Sequence, residues 1–329
     1  MGTCSSTGER GELKIQTLVK IQSAGRSYLA RKKLQRIKQD KLKTIFSVER
    51  ARTESYMRGD PLRQNLNAKP FILTEEQINL LLNDGTERVY IDLFQDVDAG
   101  KKYKGQWSKK NNLRDGLGVQ LWPDGSKYEG MWKAGKSCGI GRMTHANGDI
   151  YQGEWKDDMA NGMGTFIDTN GARYVGQWLN DIQHGNGEES WNNGGTKYEG
   201  DFFKGKKNGK GKFTWEDGSF YEGDFVDGQF EGHGKYYFAD LDKTYEGEFR
   251  MSNMEGRGVE TWNDGRRYEG DFKNGKKDGE GTFLWPNGNK YIGSWRNDKQ
   301  HGIGIYYNVK EGSKKQGEWV NGKRHAWIN

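Results

Sequence analysis

One short pattern, in which an aromatic residue, a glycine and a second aromatic residue stand at alternate positions, recurs in ten copies between residues 103 and 319, the last with a lysine in place of the first aromatic residue. Successive copies start 23 to 25 residues apart. The first residues of the copies are Tyr103, Tyr128, Tyr151, Tyr174, Tyr198, Tyr221, Tyr245, Tyr268, Tyr291 and Lys315. Self-similarity at such a period is typical of one structural unit used repeatedly. We therefore expect most aromatic and glycine residues to be structural, and function to lie where the chain departs from the repeat.

The composition argues against a large conventional core. Of 329 residues only 32% are hydrophobic and 49 are glycine, whereas 12 Trp, 16 Tyr and 14 Phe supply broad apolar surface. Thin layers that stack on one another suit such a chain better than a compact sphere does.

Each repeat has the features of a β-hairpin. A Gly-x-Gly pair precedes a strand-like run, a turn dipeptide and then the aromatic pattern. Alternation places Tyr221, Gly223 and Phe225 on one face and Glu222 and Asp224 on the other, and the glycine lets a neighbouring ring approach. The turn dipeptides, which tolerate the positive φ angles of tight hairpins, are Asp124-Gly125, Asn147-Gly148, Asn170-Gly171, Asp217-Gly218, Asp264-Gly265 and Asn287-Gly288.

These hairpins predict the fold class. Two strands per repeat, about 4.8 Å apart, advance the array by about 10 Å per repeat, so ten repeats reach on the order of 90 to 100 Å. We expect a mostly β protein: an elongated, single-layer, twisted antiparallel sheet of hairpins, preceded by an α-helical N-terminal arm.

The spacing and residues resemble MORN repeats, a family built on Y-x-G-x-W/F followed by G-K-x-x-G-x-G. The resemblance covers residues 101–322, and nine repeats keep the Gly-x-Gly pair, from Gly116 to Gly304. Lys315 replaces the tyrosine of the last repeat, and His325 stands where its glycine pair would begin. That end therefore resembles a terminal cap.

The chain before the repeats has its own organisation. Thr74 and Gln77 have the spacing of a helix capping box before an apolar run at residues 78–82, and this short helix is expected to pack on the open end of the array. Alternating Val89, Ile91 and Leu93 predict a capping strand. The predicted divisions are an acylated or disordered tail (1–10), a basic helix (11–63), a linker with the short helix and capping strand (64–100), and the repeat array with its C-terminal cap (101–329).

The net charge of +6 is concentrated in the N-terminal arm. Residues 10–63 contain fifteen Lys or Arg against five Asp or Glu, whereas residues 101–329 contain 35 against 33. The arm is therefore where an acidic partner or an anionic membrane is expected to bind.

The strongest local motif in this arm lies within residues 18–36. Leu18, Ile21, Gln22, Arg26, Tyr28, Leu29, Arg31 and Lys32 match the spacing of an IQ motif. The resemblance implies a helix that binds calmodulin or a related light chain, with Ile21 in a hydrophobic cleft and Gln22 bonded to backbone. An apolar stripe flanked by basic residues suits such a partner, and the alternative is a solvated basic helix.

The first residues match a lipidation pattern. Gly2 with Ser6 fits N-myristoylation after removal of the methionine, and Cys4 stands where a palmitoyl chain commonly provides a second anchor. One myristoyl chain binds membranes only marginally, so a second chain or the basic arm would stabilise attachment. The alternative is an unmodified, disordered tail.

Several other classes of function are disfavoured. No apolar run approaches the roughly 18 residues of a membrane span, no signal-peptide core is present, and Cys4 and Cys138 have no paired spacing, which suits a reducing cytosol. Residues 130–137 match a P-loop pattern, but the same positions recur in other repeats as part of the hairpin. We expect no catalytic residues, metal site or cofactor, and no nucleic-acid partner, because the array is nearly neutral.

Three functions remain. The first is a non-enzymatic scaffold on the cytoplasmic face of a plasma or ciliary membrane, which binds calmodulin through the arm and other proteins along the array. The second is a structural part of the cytoskeleton or ciliary axoneme, as in the radial-spoke head proteins that carry similar repeats. The third, phosphoinositide binding by the repeats, would use a cluster formed by Lys204, Lys206, Lys207, Lys210 and Lys212.

Overall fold

A computed structural model describes residues 86–191 and 194–328. These residues form β-strands joined by short turns, and no α-helix occurs among them. The prediction of a mostly β, antiparallel repeat structure is confirmed for this part of the chain. The tail, the basic helix and the short helix predicted after Thr74 lie outside the described residues. Within the described ranges no helix is long and apolar enough to cross a membrane.

The chain divides into two compact units at Gly148. The strands of the first unit are β1 (Arg88–Asp98), β2 (Lys101–Ser108), β3 (Leu113–Leu121), β4 (Lys127–Lys133) and β5 (Lys136–Thr144). The strands of the second unit are β6 (Ile150–Lys156), β7 (Met159–Ile167), β8 (Arg173–Leu179), β9 (Ile182–Trp191), β10 (Thr196–Phe203), β11 (Lys206–Thr214), β12 (Phe220–Val226), β13 (Gln229–Phe238), β14 (Lys243–Arg250), β15 (Asn253–Trp262), β16 (Arg267–Lys273), β17 (Lys276–Leu284), β18 (Lys290–Arg296), β19 (Lys299–Asn308), β20 (Ser313–Val320) and β21 (Lys323–Ile328). Inside each unit every strand pairs antiparallel with its neighbours in the sequence.

The two faces of the sheet differ as the alternation predicts. Tyr221 and Phe225 are 0% and 1% exposed, whereas Glu222 of the same strand is exposed. We call the side of each sheet that carries the repeated tyrosines the aromatic face, and the opposite side the polar face. The core of this protein is thus a line of rings along one face of each sheet.

A β-bulge recurs in each repeat and gives the two glycines of the Gly-x-Gly pair different roles. Between β12 and β13, Gly223 pairs with Gly234 and Asp224 with Glu231, so two residues of β13 have no partner in β12. Gly232, the first glycine, lies in this bulge with a φ of +61°, which a side chain would disfavour. The second glycine, Gly234, lies beneath the ring of Tyr221, where an added Cβ would be 2.5 Å from the ring carbon Cε2.

The turns differ from the sequence interpretation. Of the predicted pair Asp217-Gly218 only Gly218 has a positive φ, +86°, and the amide of Ser219 donates to the Asp217 carboxylate at 2.9 Å. The loop has three residues, with the glycine last. The two-residue turns in which both residues have positive φ lie at the other end of the aromatic strand, as at Asp227-Gly228 (+49° and +85°).

A strand occupies the position where Val89, Ile91 and Leu93 predicted one. Leu93 nevertheless is 73% exposed and does not share the environment of Val89 and Ile91. The pairing of β1 with β2 shifts register between Ile91 and Gln95, and such a shift changes the face on which the following side chains lie.

Candidate binding surface

The residues that the sequence singled out for lipidation and for calmodulin binding lie outside the described ranges. This is true of Gly2 and Cys4, and of the whole IQ-like segment from Leu18 to Lys32. These assignments therefore stay predictions. The described residues show instead what the repeat array offers a partner.

Nine tyrosines on the aromatic face are bound in the same way. The hydroxyl of Tyr221 donates to the carbonyl oxygen of Asp224 at 2.9 Å, directly beside the bulge. The ring contacts Phe225 of its own repeat and Phe249 of the next, edge to face, with centroids 5.2 and 5.0 Å apart. The corresponding hydroxyl bonds, of 2.7 to 3.1 Å, are made by Tyr103, Tyr128, Tyr151, Tyr174, Tyr198, Tyr245, Tyr268 and Tyr291.

These contacts leave the tyrosines no free group for a ligand. The hydroxyl satisfies a backbone carbonyl at the bulge, and the ring fills the space that two glycines leave open. Burial raises the pKa of Tyr174 and of Tyr291 to about 12, and that of Tyr221 further. The tyrosines are therefore structural, as the repeat pattern predicts.

Two acidic residues on the aromatic face were missed by sequence reasoning. Glu260 is 1% exposed and stands at the repeat position that Tyr236 and Phe283 occupy in neighbouring repeats. Its carboxylate accepts from Lys277 and, at 2.5 Å, from Lys243. A buried carboxylate requires such partners, because an unpaired charge away from water is very unfavourable.

The second acidic residue repeats the arrangement three repeats earlier. Glu189 accepts from Lys207 at 2.7 Å, and Lys207 stands where Lys277 does in its own repeat. Met254 and Phe230 occupy this position in two other repeats. Where the repeat replaces an aromatic residue by glutamate, the following repeat thus replaces an apolar residue by lysine. This joint replacement, which occurs twice in the chain, is the sequence feature from which the buried ion pairs could have been predicted.

Both lysines lie among aromatic rings. The ammonium nitrogen of Lys277 is 5.1 Å from the ring centroid of Trp262 and 5.2 Å from that of Tyr268. Lys207 is 4.8 Å from Trp191 and 5.1 Å from Tyr198. The carboxylate and the ring faces together replace the water that each ammonium loses. The ammonium groups of both lysines are therefore engaged in contacts within the array.

The polar face carries opposite charges in alternation across adjacent strands. Cross-strand pairs join Glu199 to Lys212, Lys212 to Glu222, Glu222 to Lys235 and Lys235 to Glu246. They border a shallow groove of about 710 Å³ whose floor is formed by Gly211, Gly223 and Gly234 among others. The groove is open and nearly neutral, so it favours an extended partner with mixed charges over a strongly anionic one.

The five lysines considered for phosphoinositides do not form one surface. Lys207 lies on the aromatic face, paired with Glu189. Lys210 and Lys212 lie on the polar face, 2.6 Å from Asp224 and 3.3 Å from Glu222. Lys206 pairs with Asp227 at 3.4 Å. The charges of these four lysines are therefore compensated by acidic neighbours of the same array. The ammonium nitrogen of Lys204 lies 5.2 Å from the ring centroid of Phe203.

The described residues also show how the candidate metal ligands and the P-loop-like string are arranged. No group of three or more His, Cys, Asp or Glu side chains that could hold a metal ion occurs among residues 86–191 and 194–328. The P-loop-like string at residues 130–137 is part of the β4–β5 hairpin, in which Lys133 pairs with Lys136. The interpretation of that string as part of the repeat is confirmed.

Comparison with solved structures gives distant likenesses. The TCP10 domain of Danio rerio CPAP is 10% identical, with a TM-score of 0.36 over 61% of this chain and 94% of that chain. The TCP domain of Drosophila melanogaster SAS-4, solved with a proline-rich motif of Ana2, is 15% identical, with a TM-score of 0.25 over 55% of this chain and 85% of that chain. Likenesses at this level carry no inference about function. A comparison with curated proteins finds no match.

The family comparison is specific. The model of the MORN repeat matches ten segments, at residues 103–127, 128–150, 151–173, 174–196, 198–220, 221–243, 245–266, 268–290, 291–310 and 316–325. No enzyme family is among the matches, and nine of the ten segments begin at a buried tyrosine of the aromatic face. The chain therefore belongs to the MORN-repeat family.

Proposed function

We propose that the protein is a non-enzymatic scaffold, tethered through its N-terminus to the cytoplasmic face of a membrane. Its arm binds calmodulin or a related light chain, and its repeat array presents an extended surface to other proteins. One observation carries this division of tasks. The described array uses its rings and much of its charge in internal contacts, whereas the uncompensated basic charge lies in residues 10–63.

The membrane role rests on the arm. An acyl chain on Gly2 and a second on Cys4 would supply the hydrophobic part of membrane attachment. Basic residues near an anionic surface add about 1 kcal/mol each. The paired charges of the polar face support assigning this attraction to the arm and not to the repeats.

Replacing Gly2 by alanine is expected to release the protein from membranes. We expect the full-length, N-myristoylated protein to float with phosphatidylserine–phosphatidylcholine vesicles, and Gly2→Ala to reduce the bound fraction at least about tenfold, because myristoylation requires that glycine. Raising the salt concentration should weaken binding further by screening the arm.

Gly8→Ala is the matched control, since it removes a glycine of the same tail outside the acylation pattern. It should float like the wild type. Equal flotation of Gly2→Ala and the wild type would contradict a lipid anchor at this residue.

A further inference from the structure

Near its C-terminal end the array carries aliphatic side chains on the polar face, at positions where other repeats carry charge. Ile292 of β18 directly follows the repeated tyrosine of its repeat. In the four preceding repeats this position is held by Glu199, Glu222, Glu246 and Glu269. Ile305 of β19 pairs with Ile292, and Ile303 lies two residues before Ile305 on the same face. We call Ile292, Ile303 and Ile305 the isoleucine patch.

The isoleucine patch is open to solvent. Ile303 is 46% exposed, and Ile292 and Ile305 are half-buried. The fold does not require aliphatic side chains there, since the same positions hold charged residues in other repeats. Adjacent exposed aliphatic side chains on a polar surface are typical of an interaction site. The patch therefore needs a cover that the β18 and β19 strands do not supply themselves.

Charges of opposite sign border the patch on its two sides along the strands. On one side, the ammonium nitrogens of Lys290 and Lys314 lie 4.5 and 5.5 Å from the ring centroid of Tyr307. On the other side lie the exposed Glu280 and Glu318. Within residues 86–191 and 194–328, neither Lys290, Lys314 nor Glu318 forms an ion pair. Both borders therefore offer charge to a partner.

We propose that a second copy of this chain covers the isoleucine patch, in a two-fold dimer formed by the polar faces of β16–β20. The axis lies between the two sheets and runs across the strands at the level of Ile305. It reverses the strand direction, so that residues at equal distances on either side of that level face each other. Tyr307 then faces Ile303 of the second copy, and Lys314 faces Glu318 of the second copy.

The flanking charges favour this occupant and this orientation. An axis parallel to the strands would bring Lys290 and Lys314 against the same lysines of the second copy, and Glu280 against Glu318. Like charges in such contacts are unfavourable. An anionic membrane would be repelled by the two glutamates for the same reason. A surface with a basic and an acidic border around an apolar centre is complementary to itself.

The size of the contact predicts a weak, reversible dimer. The strands β16–β20 span about 24 Å across the sheet, and the contact extends about 20 Å along them. About 500 Å² of each copy would be covered, or about 1,000 Å² in total, near the lower limit of specific interfaces. At the β16 end, Arg267 would face Asp271 of the second copy. Its guanidinium lies 2.6 Å from Glu269, which offsets the approach of the two Glu269 side chains.

Sedimentation velocity of the full-length chain between about 1 and 500 μM tests the proposal. We expect a reversible monomer–dimer equilibrium with a dissociation constant of about 10 to 100 μM. Ile303→Asp should raise this constant at least about tenfold, because each dimer would bury two additional carboxylates. Met163→Asp is the matched control, since Met163 has the same repeat position and is 51% exposed. It should dimerise like the wild type.

An exchange of charges tests the orientation of the two copies. Lys314→Glu and Glu318→Lys should each weaken dimerisation at least about threefold, and the double variant should return to within about twofold of the wild type. Ile303→Ser replaces Ile303→Asp if the latter does not give the wild-type circular dichroism spectrum. A monomer at every concentration, a dimer that Ile303→Asp leaves unchanged, equal weakening by Met163→Asp, or no recovery in the double variant would each overturn the proposal.

Discussion

Raising the pH above 10 is expected to unfold the repeat array in a cooperative transition. Burial raises the pKa of the repeated tyrosines above the ordinary value of 10.0, as for Tyr174 and Tyr291, both to about 12. The shift is in the same direction for Tyr103, Tyr151, Tyr198, Tyr221, Tyr245 and Tyr268. A tyrosine that is neutral in the folded state contributes stability below its unfolded pKa, and this contribution is lost as the pH rises towards the folded pKa.

The number of tyrosines makes the effect large. Each pH unit above the unfolded pKa removes about 1.4 kcal/mol of stability per buried tyrosine. Eight such residues would remove about 11 kcal/mol within one unit, which is comparable to the total stability of a typical domain. The array should therefore unfold before its buried hydroxyls reach their own pKa values.

The measurement follows tyrosinate absorbance and far-ultraviolet circular dichroism over the same pH series at constant ionic strength. We expect most of the absorbance change to coincide with the loss of the β-sheet spectrum. Complete ionisation with an unchanged β-sheet spectrum would show that the tyrosines are not packed as described.

Replacing the second glycine of one repeat by alanine is expected to be strongly destabilising. In Gly234→Ala the new Cβ would be 2.5 Å from Cε2 of Tyr221. The ring cannot move away easily, because its hydroxyl is bonded to Asp224 and its edge packs against Phe249. We expect a loss of about 3 kcal/mol or more in the free energy of unfolding, the upper range for overpacking in a rigid core.

Gly228→Ala is the matched control in the same repeat. Gly228 has a φ of +85°, and an added Cβ would have nothing within 4 Å. Its replacement should cost about 1 kcal/mol, the penalty for a left-handed conformation. Urea denaturation of the two full-length variants measures both values. Equal losses would contradict the placement of the Tyr221 ring over Gly234.

The repeat period predicted the hairpins and their inward side chains because each aromatic position recurs in phase. It could not assign roles to the two glycines of each pair. Gly232 and Gly234 are the same residue type two positions apart, yet one is needed for its φ and the other for a neighbouring ring. The turn type could not be predicted from the dipeptide either, since Asp217-Gly218 and Asp227-Gly228 have the same sequence but lie in different kinds of loop.

The burial of charged side chains could not be predicted from the sequence, because it depends on the register between strands. Glu260 resembles any solvated glutamate until the register places it beside Tyr268 on the aromatic face. Leu117 likewise matches Ile303 in its repeat position but is 6% exposed where Ile303 is 46% exposed, a difference that the repeat period does not predict. The candidate binding residues of the arm have no repeat partner for comparison, so periodicity contributes nothing to them.

We propose above that the N-terminal arm binds the membrane and calmodulin, whereas the repeat array presents a surface to other proteins. The most direct measurement is the release of full-length, myristoylated protein from phosphatidylserine vesicles by calmodulin, with and without calcium. Because lipid and calmodulin would compete for the same basic residues of the arm, we expect calmodulin to release the wild type and the control Ile37→Asp, which lies beyond the IQ-like segment, but not Ile21→Asp. Failure to release the wild type, or equal release of Ile21→Asp, would contradict the account.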